Sequence, residues 1–373
     1  MMNKKNLTFF FPTPGVGGNE KNFIALVNGV AKINKFNVSL VTYRNINKDK
    51  ELNKIYKINT KVKILNATNG MEVKKGILKY LHTAIILLFF CMKNKTTIVS
   101  FQKNLMAIIV AKLTNNKIII RLCTDPSYYI KNNLRKNIFS LFFSLANIIL
   151  VNSRDLKKET EKYFNLNCII FRQSLNIDQI KKKAKVKINF TFFKNYKGLK
   201  IINIGHLADQ KDQITLLNAF SNLIKVRNSR LLIIGEGPNK QYIENFITKK
   251  KLSDFVKIIP FNSNPFKYVR LSDVKVLTSK HEGNPNILLE TACLKKTIIS
   301  SNCKVGPNEI LQNGKGGSLF KVGDHRKLLS ILKNLNINSK SNKKMIEISY
   351  KYVKSNFKAD ICQPFMKVLK IAR

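Results

Sequence analysis

Residues 272–324 read SDVKVLTSKHEGNPNILLETACLKKTIISSNCKVGPNEILQNGKGGSLFKVGD. Residues 274–278 are a β-branched run of strand length, residues 286–294 have the spacing of a helix, and residues 297–300 are a second strand-like run. Strand, helix and strand in succession make a βαβ unit, which lays parallel strands side by side and covers them with helices. The turn into the helix is Gly283-Asn284-Pro285-Asn286, followed by Ile287 and bracketed by Glu282 and Glu290 at the spacing E-x7-E. The first carboxylate then lies on the loop before the helix and the second on its second turn. Both are placed to reach a ligand at the helix N-terminus, where free backbone N–H groups favour an anion. Hydroxyls want carboxylate acceptors and a diphosphate wants backbone donors and a cation, so the pair fits a nucleotide sugar. An exposed pair of helix acids is the plain alternative.

The same alternation continues upstream, with strands at residues 200–204, 230–234 and 256–259 and helices at 213–225 and 239–250. The stretch IINIGHLADQKDQITLLNAF sets Gly205, His206 and Lys211 between the first of these strands and its helix. There the lysine and the helix N-terminus both face an anion held above the strand end; a solvated lysine and a structural histidine are the plain readings.

A third block opens the chain. Strands at residues 7–11, 37–42, 97–101, 117–122 and 148–152 and a helix at 19–33 predict another Rossmann-like domain. Its first strand runs into Pro14-Gly15-Val16-Gly17-Gly18-Asn19-Glu20, where glycines allow backbone to approach a phosphate or a sugar. This is neither a dinucleotide fingerprint, since Glu20 stands where a glycine is needed, nor a P-loop. The lysine-rich stretch 181–198 reads as a linker. The expected architecture is therefore α/β, with two tandem Rossmann-like domains facing a cleft: residues 1–190, residues 191–350, and a tail at 351–373. The tail is helical in pattern, broken at Pro364, and expected to return to the first domain.

Composition narrows the partners. The 373 residues carry 67 Lys and Arg against 21 Asp and Glu, a formal charge of +46. Only 10 of the cations are Arg, there is no Trp, and the surplus is +25 in residues 1–190 and +21 in the rest. Nucleic-acid readers need clustered Arg and interleaved aromatics, so no nucleic-acid partner is expected. Lys/Asn codon bias and attraction to an anionic membrane leaflet account for the charge instead. Six cysteines without metal spacing read as buried thiols, and no metal site is expected. The apolar run AIILLFFCM at 84–92 is too short to span a bilayer and reads as a buried strand or helix, with membrane-surface contact as the alternative. The short apolar run at the N-terminus, followed by Pro12 and Pro14, is too short for a signal peptide.

Taken together, IGHLADQKDQITLLNAF, LLIIGEGPNKQYIE, SDVKVLTSKHEGNPNILLE and IISSNCKVGPNEILQNGKGGSLFKVGD resemble glycosyltransferase family 4 (group 1), retaining nucleotide-sugar-dependent enzymes of the GT-B fold. GVGGNEKNF and VNSRDLKKETEKYF extend the likeness, more loosely, into the first domain. The resemblance implies that Glu290 holds the ribose hydroxyls and Glu282 the hydroxyls of the transferred sugar. It implies sugar and phosphate contacts for the backbone of Gly283, Asn284, Pro285, Asn286 and Ile287, and neutralisation of the diphosphate by Lys211 with help from His206. Gly17 and Gly18 would approach the donor from the first domain, and Asp125, in the loop RLCTDPS, would contact the acceptor hydroxyl. An Asp-Pro turn is the plain reading of Asp125. This chain differs from the family where His206 stands for a usual Arg, Asn284 for a usual aromatic, and FRQSLNID for a segment that usually contains Asn-Pro.

The implied activity is hexosyl transfer with retention and without metal or cofactor, from a nucleoside diphosphate sugar, a UDP-sugar first of all. The implied acceptor is a glycan, most in keeping with a polyprenyl-diphosphate-linked glycan or a lipopolysaccharide or capsule precursor. The enzyme would be cytoplasmic, in peripheral contact with the inner leaflet. The rivals are a nucleotide-sugar 2-epimerase of the same architecture, a basic nucleic-acid- or membrane-binding protein, and a catalytically dead binding subunit.

Overall fold

In the computed structural model, which describes residues 4–15, 17–50, 52–68, 76–130 and 132–371, the apolar runs become two parallel sheets. The chain divides into one unit of residues 1–174 with 360–373 and a second of residues 175–359.

The first unit holds β1 (Lys5–Phe10), β2 (Phe36–Arg44), β3 (Val62–Thr68), β4 (Thr97–Ser100), β5 (Lys117–Leu122), β6 (Ile148–Val151) and β7 (Ile169–Ile170). They pair in the order β3-β2-β1-β4-β5-β6-β7. Phe10 lies beside Val41 on one side and Ser100 on the other, so the order reverses at β1 with the carboxyl ends level. That reversal is where open α/β sheets bind ligands. The helices are α1 (Gly18–Ile33), α2 (Leu52–Ile55), α3 (Leu78–Lys93), α4 (Asn104–Leu113), α5 (Pro126–Tyr129), α6 (Asn133–Ser144) and α7 (Arg154–Phe164). The inward face of α1 carries Phe23, whose ring stacks on Phe11 at 4.2 Å and meets Phe9 edge-on at 5.8 Å.

The second unit begins with α8 (Ile177–Ala184). It continues through β8 (Leu199–Ile204), α9 (Gln213–Leu223), β9 (Ser229–Ile234), α10 (Lys240–Lys249), β10 (Val256–Ile259), α11 (Phe266–Leu271) and β11 (Val274–Leu277). Then come α12 (Asn286–Cys293), β12 (Thr297–Ser301), α13 (Pro307–Ile310), β13 (Ser318–Phe320), α14 (His325–Asn334) and α15 (Lys340–Asn356). Its sheet order is β10-β9-β8-β11-β12-β13, reversing between β8 and β11. Burial runs through the middle of these strands: Ile201, Ile202, Leu231, Leu232, Ile233, Val274 and Val276 are all fully enclosed. Strands buried on both faces read as unbroken apolar runs, which is why the sequence showed them.

Several expectations need correction. The boundary falls after residue 174, not at 190, and residues 181–198 are not a free linker. α8 packs Ile180 and Ala184 against Phe266, Leu288 and Ala292, and Phe193 sits in a core with Ile202 and Leu232. The tail divides at residue 360 rather than 351. α15 belongs to the second unit, where the Tyr352 hydroxyl donates to Glu309 Oε1 at 2.7 Å. A final helix, α16 (Cys362–Ile371), joins the first unit, its Phe365 packing on Phe9 and Phe171. Pro364 falls in the first turn of α16, where a missing N–H costs nothing, so it starts this helix rather than breaking it. The run at 84–92 is the body of α3, and only one side of it is buried: Leu87 and Cys91 are enclosed while Ile85, Phe89 and Met92 face solvent.

Candidate functional site

In the second unit the carboxyl ends of β8 and β11 are adjacent, and each releases a loop that leads into a helix. The loop after β8 carries Gly205, His206 and Lys211, and Asp212 then takes a left-handed conformation (φ 46°). Its carboxylate caps α9 by accepting from the Thr215 N–H and hydroxyl, at 3.3 and 2.6 Å. That short polar side chain tolerates the conformation and fixes the backbone immediately after Lys211. The loop after β11 carries Glu282 and leads through Gly283, Asn284 and Pro285 into α12, which begins at Asn286.

The two loops are sewn together. Lys280 N–H donates to the Gln210 carbonyl at 2.8 Å, the Gln210 side chain donates to the His281 carbonyl at 3.0 Å, and the Thr278 hydroxyl donates to the Lys211 carbonyl at 2.8 Å. Across this seam Lys211 Nζ meets Glu282 Oε1 at 2.5 Å. The same oxygen accepts from the Ser279 hydroxyl at 2.7 Å, and Ser279 is itself held by Ser301, which donates to the Ser279 carbonyl. Glu282 is buried while Lys211 keeps a fifth of its side chain in solvent, so the lysine is the more available partner.

Gly306 explains how the loop before α12 keeps its shape. Its φ is +99°, and a Cβ there would stand 2.7 Å from Pro285 Cδ and 3.0 Å from the Gly283 carbonyl, so only glycine supports that turn from behind. Glu290 lies half-buried on the second turn of α12, as the spacing predicts; Asn284, Asn286 and Ile287 are half-buried, and Gly283 and Pro285 are buried. His206 is exposed, its carbonyl accepting from the Gln213 side chain at 3.1 Å. The structure therefore brings Lys211 and Glu282 into direct contact and sets His206 and Glu290 on the same two loop-to-helix connections.

Beneath this pair lies a residue the sequence reading passed over. Lys275, in the middle of β11, is completely buried, with Nζ donating to the carbonyls of Val276 at 3.2 Å and Ile204 at 3.4 Å. Burial first, and then the charge of Lys211, hold its amine well below the ordinary lysine range, with Glu282 opposing. A single charge interrupting the strand VKVL was the available signal.

In the first unit the glycine loop sits at the end of β1. Gly17 is the N-cap of α1 in extended conformation, and the Tyr56 hydroxyl donates to its carbonyl at 3.4 Å. The Glu20 carboxylate folds back over this loop: a Cβ on Gly17 would come 2.5 Å from Glu20 Oε2. Burial raises the Glu20 pKa, against the lowering effect of backbone N–H groups of Glu20 and Gly17. Glu20, met in the sequence only as a misfit to a glycine motif, is the carboxyl that shapes the loop containing Gly17 and Gly18. Asp125 is buried and caps α5, accepting from the Ser127 N–H at 3.0 Å and its hydroxyl at 2.8 Å. The turn reading of Asp125 is thus realised. Val16 lies outside the described residues.

Residues 185–352, which contain the whole Lys211–Glu282–Glu290 arrangement, match the family model of the glycosyl transferases, group 1. The match lies within the second unit and spans most of it. An uncharacterized glycosyltransferase of Methanocaldococcus jannaschii is 32% identical over 213 residues, 54% of this chain and 52% of that protein. The N-acetylgalactosamine-N,N'-diacetylbacillosaminyl-diphospho-undecaprenol 4-alpha-N-acetylgalactosaminyltransferase of Campylobacter jejuni is 27% identical over 237 residues, 61% of this chain and 63% of that protein. The chain thus spans between half and two thirds of the length of these curated relatives. Among solved structures, Anabaena HepE in complex with UDP and glucose superposes with a TM-score of 0.78 over 99% of this chain and 100% of that one, at 15% identity. That likeness is one of fold, the two Rossmann-like units of GT-B. Within the matched segment, Lys211 and Glu282 stand at the β8/β11 reversal, the place where open α/β sheets take their ligands.

Proposed function

We propose that the protein is a retaining, metal-independent glycosyltransferase that moves a hexosyl group from a UDP-sugar to a hydroxyl of a lipid-linked glycan or lipopolysaccharide-type acceptor. The observation that carries the reading is the Lys211–Glu282 contact across the two loops at the sheet reversal, inside the segment that matches the group 1 glycosyl transferases. Lys211 neutralises the diphosphate, with His206 and the N-termini of α9 and α12 adding donors, so that no divalent cation is needed. Glu282 turns its carboxylate to the hydroxyls of the transferred sugar, Glu290 takes the ribose hydroxyls, and the backbone of Gly283 to Ile287 lines the sugar and phosphates. In the first unit, Gly17 and Gly18 are assigned to the donor and Asp125 to the acceptor hydroxyl.

In the transfer the bond from the anomeric carbon to the diphosphate oxygen breaks and one to the acceptor oxygen forms on the same face. The acceptor's proton passes to the departing diphosphate. Catalysis then rests on stabilising the leaving group and orienting the acceptor, and no enzyme nucleophile is required. The UDP preference draws support from the fold neighbour solved with UDP, and the lipid-linked acceptor from the diphospho-undecaprenol substrate in the Campylobacter relative's name. The test is a panel of UDP-, GDP- and ADP-sugars scored for transfer to lipid extracts, with the anomeric configuration of the product read by NMR and EDTA added in parallel. Transfer from a UDP-sugar with retention, unchanged by EDTA, is expected. Inversion, loss of activity with EDTA, or acceptor-independent epimerisation would each overturn the corresponding part.

A further inference from the structure

We propose that the outward faces of α3, α4 and α6 form one docking surface for an anionic lipid bilayer. On α3, Leu78, Leu81, Ile85, Phe89 and Met92 recur at intervals of three and four and all are exposed, Phe89 by 60% and Met92 by 67%. This stripe has the spacing of a buried seam, yet the seam that is buried is the opposite one, Thr83, Leu87 and Cys91. On α6 the pattern repeats: Leu134, Ile138, Leu141 and Leu145 are three and four apart and exposed. α4 packs against both of these helices and adds the exposed Ile109 and Leu113. Three neighbouring helices therefore present large apolar side chains to solvent, and so many exposed apolar side chains on adjacent elements mark an interaction surface.

Charge selects the occupant. From residue 73 to 154 the sequence has thirteen Lys and Arg and one carboxylate, Asp125, which is buried in its cap. Lys79, Lys93, Lys112 and Arg135 stand on the same three helices as the apolar stripes. Helices that expose Leu, Ile and Phe, carry several cations and hold no carboxylate of their own match the acyl-headgroup boundary of an anionic leaflet. A second copy of this chain matches it poorly, because a two-fold contact would set lysines against lysines. No helix among the described residues is long and apolar enough to cross a membrane, so this surface lies on the bilayer rather than through it.

The test is flotation of the full chain with vesicles of 30% phosphatidylglycerol in phosphatidylcholine and with phosphatidylcholine alone, in moderate salt. Binding at least about tenfold tighter to the anionic vesicles is expected, weakening as salt rises. Phe89→Glu with Leu141→Glu should weaken binding at least about tenfold, since each removes an apolar insertion, without lowering Tm, because both sites are exposed. Lys93→Glu with Lys112→Glu should weaken it through charge alone. Wild-type binding that ignores lipid charge, or variants that bind as well as wild type, would overturn the proposal. So would sedimentation velocity showing a dimer that Phe89→Glu with Leu141→Glu dissociates, with no vesicle binding by either protein. The assay uses neither donor nor acceptor, so its failure leaves the transferase reading standing, and a vesicle-bound chain that transfers no sugar would remove that reading alone.

Discussion

Lys211 Nζ and Glu282 Oε1, 71 residues apart in sequence, meet at 2.5 Å across the loops that leave β8 and β11. Because Glu282 is buried and Lys211 is only partly exposed, removing either leaves its partner incompletely compensated. Lys211→Ala and Glu282→Ala should each lower stability by about 1–3 kcal/mol, short of the full cost of breaking a wholly buried pair. In a double-mutant cycle read by denaturant unfolding, the double variant should cost less than the sum of the singles. Additive losses would mean that the contact carries no coupling.

The same pair has a kinetic signature. If Lys211 neutralises the leaving diphosphate, Lys211→Ala should cut kcat by about 10²–10³, the usual effect of deleting one transition-state donor. Lys211→Arg should restore part of it, because the charge is kept while its shape changes. Steady-state transfer assays at saturating donor decide this, and a variant that changes KM alone would assign Lys211 to ground-state binding.

Lys275 makes the stability depend on pH. Its folded pKa lies below the unfolded value, so the unfolded chain binds more protons in the window between them, and stability rises with pH up to the ordinary lysine range. Lys275→Met keeps the volume and removes the charge. It should be more stable than wild type by about 1–4 kcal/mol at pH 7, with the gain shrinking as pH approaches 10.5. Urea unfolding of both proteins from pH 6 to 10 measures it; a gain independent of pH would contradict the assignment.

Asp125 separates cap from chemistry. Asn accepts the same backbone N–H, so Asp125→Asn should keep its stability, whereas Asp125→Ala should lose about 0.5–2 kcal/mol with the cap. A fall in transfer rate in the Asn variant at unchanged Tm would show that the carboxylate itself meets the acceptor. Full activity would leave Asp125 as a cap alone.

The central strands of both sheets were legible because strands buried on two faces spell unbroken runs of Ile, Val and Leu, whereas the edge strands β3, β7 and β13, mixed in composition or only two or three residues long, were not; Glu282 and Glu290 were legible because eight residues of local spacing fix both against α12. The pairing of Lys211 with Glu282 was not, since the sheet order that joins them is a tertiary fact. The boundary at residue 174 was hidden by the composition of α8, where IDQIKKKA conceals two core contacts, Ile180 and Ala184, among lysines. For α3 the periodicity announced an apolar helix but was silent on which of its two apolar stripes faces water. That depends on what packs against Thr83, Leu87 and Cys91.

Calorimetric titration of UDP into the full chain, wild type, Lys211→Ala and Glu290→Ala, reads whether the second unit holds a nucleoside diphosphate at Lys211 and Glu290. Glu290 stands half-buried on α12, where its loss should spare the fold, and a hydrogen bond to a charged group contributes about 1.5–3 kcal/mol. Wild type should bind UDP, and each variant should bind it at least about tenfold more weakly. Equal affinity in all three proteins would contradict that placement.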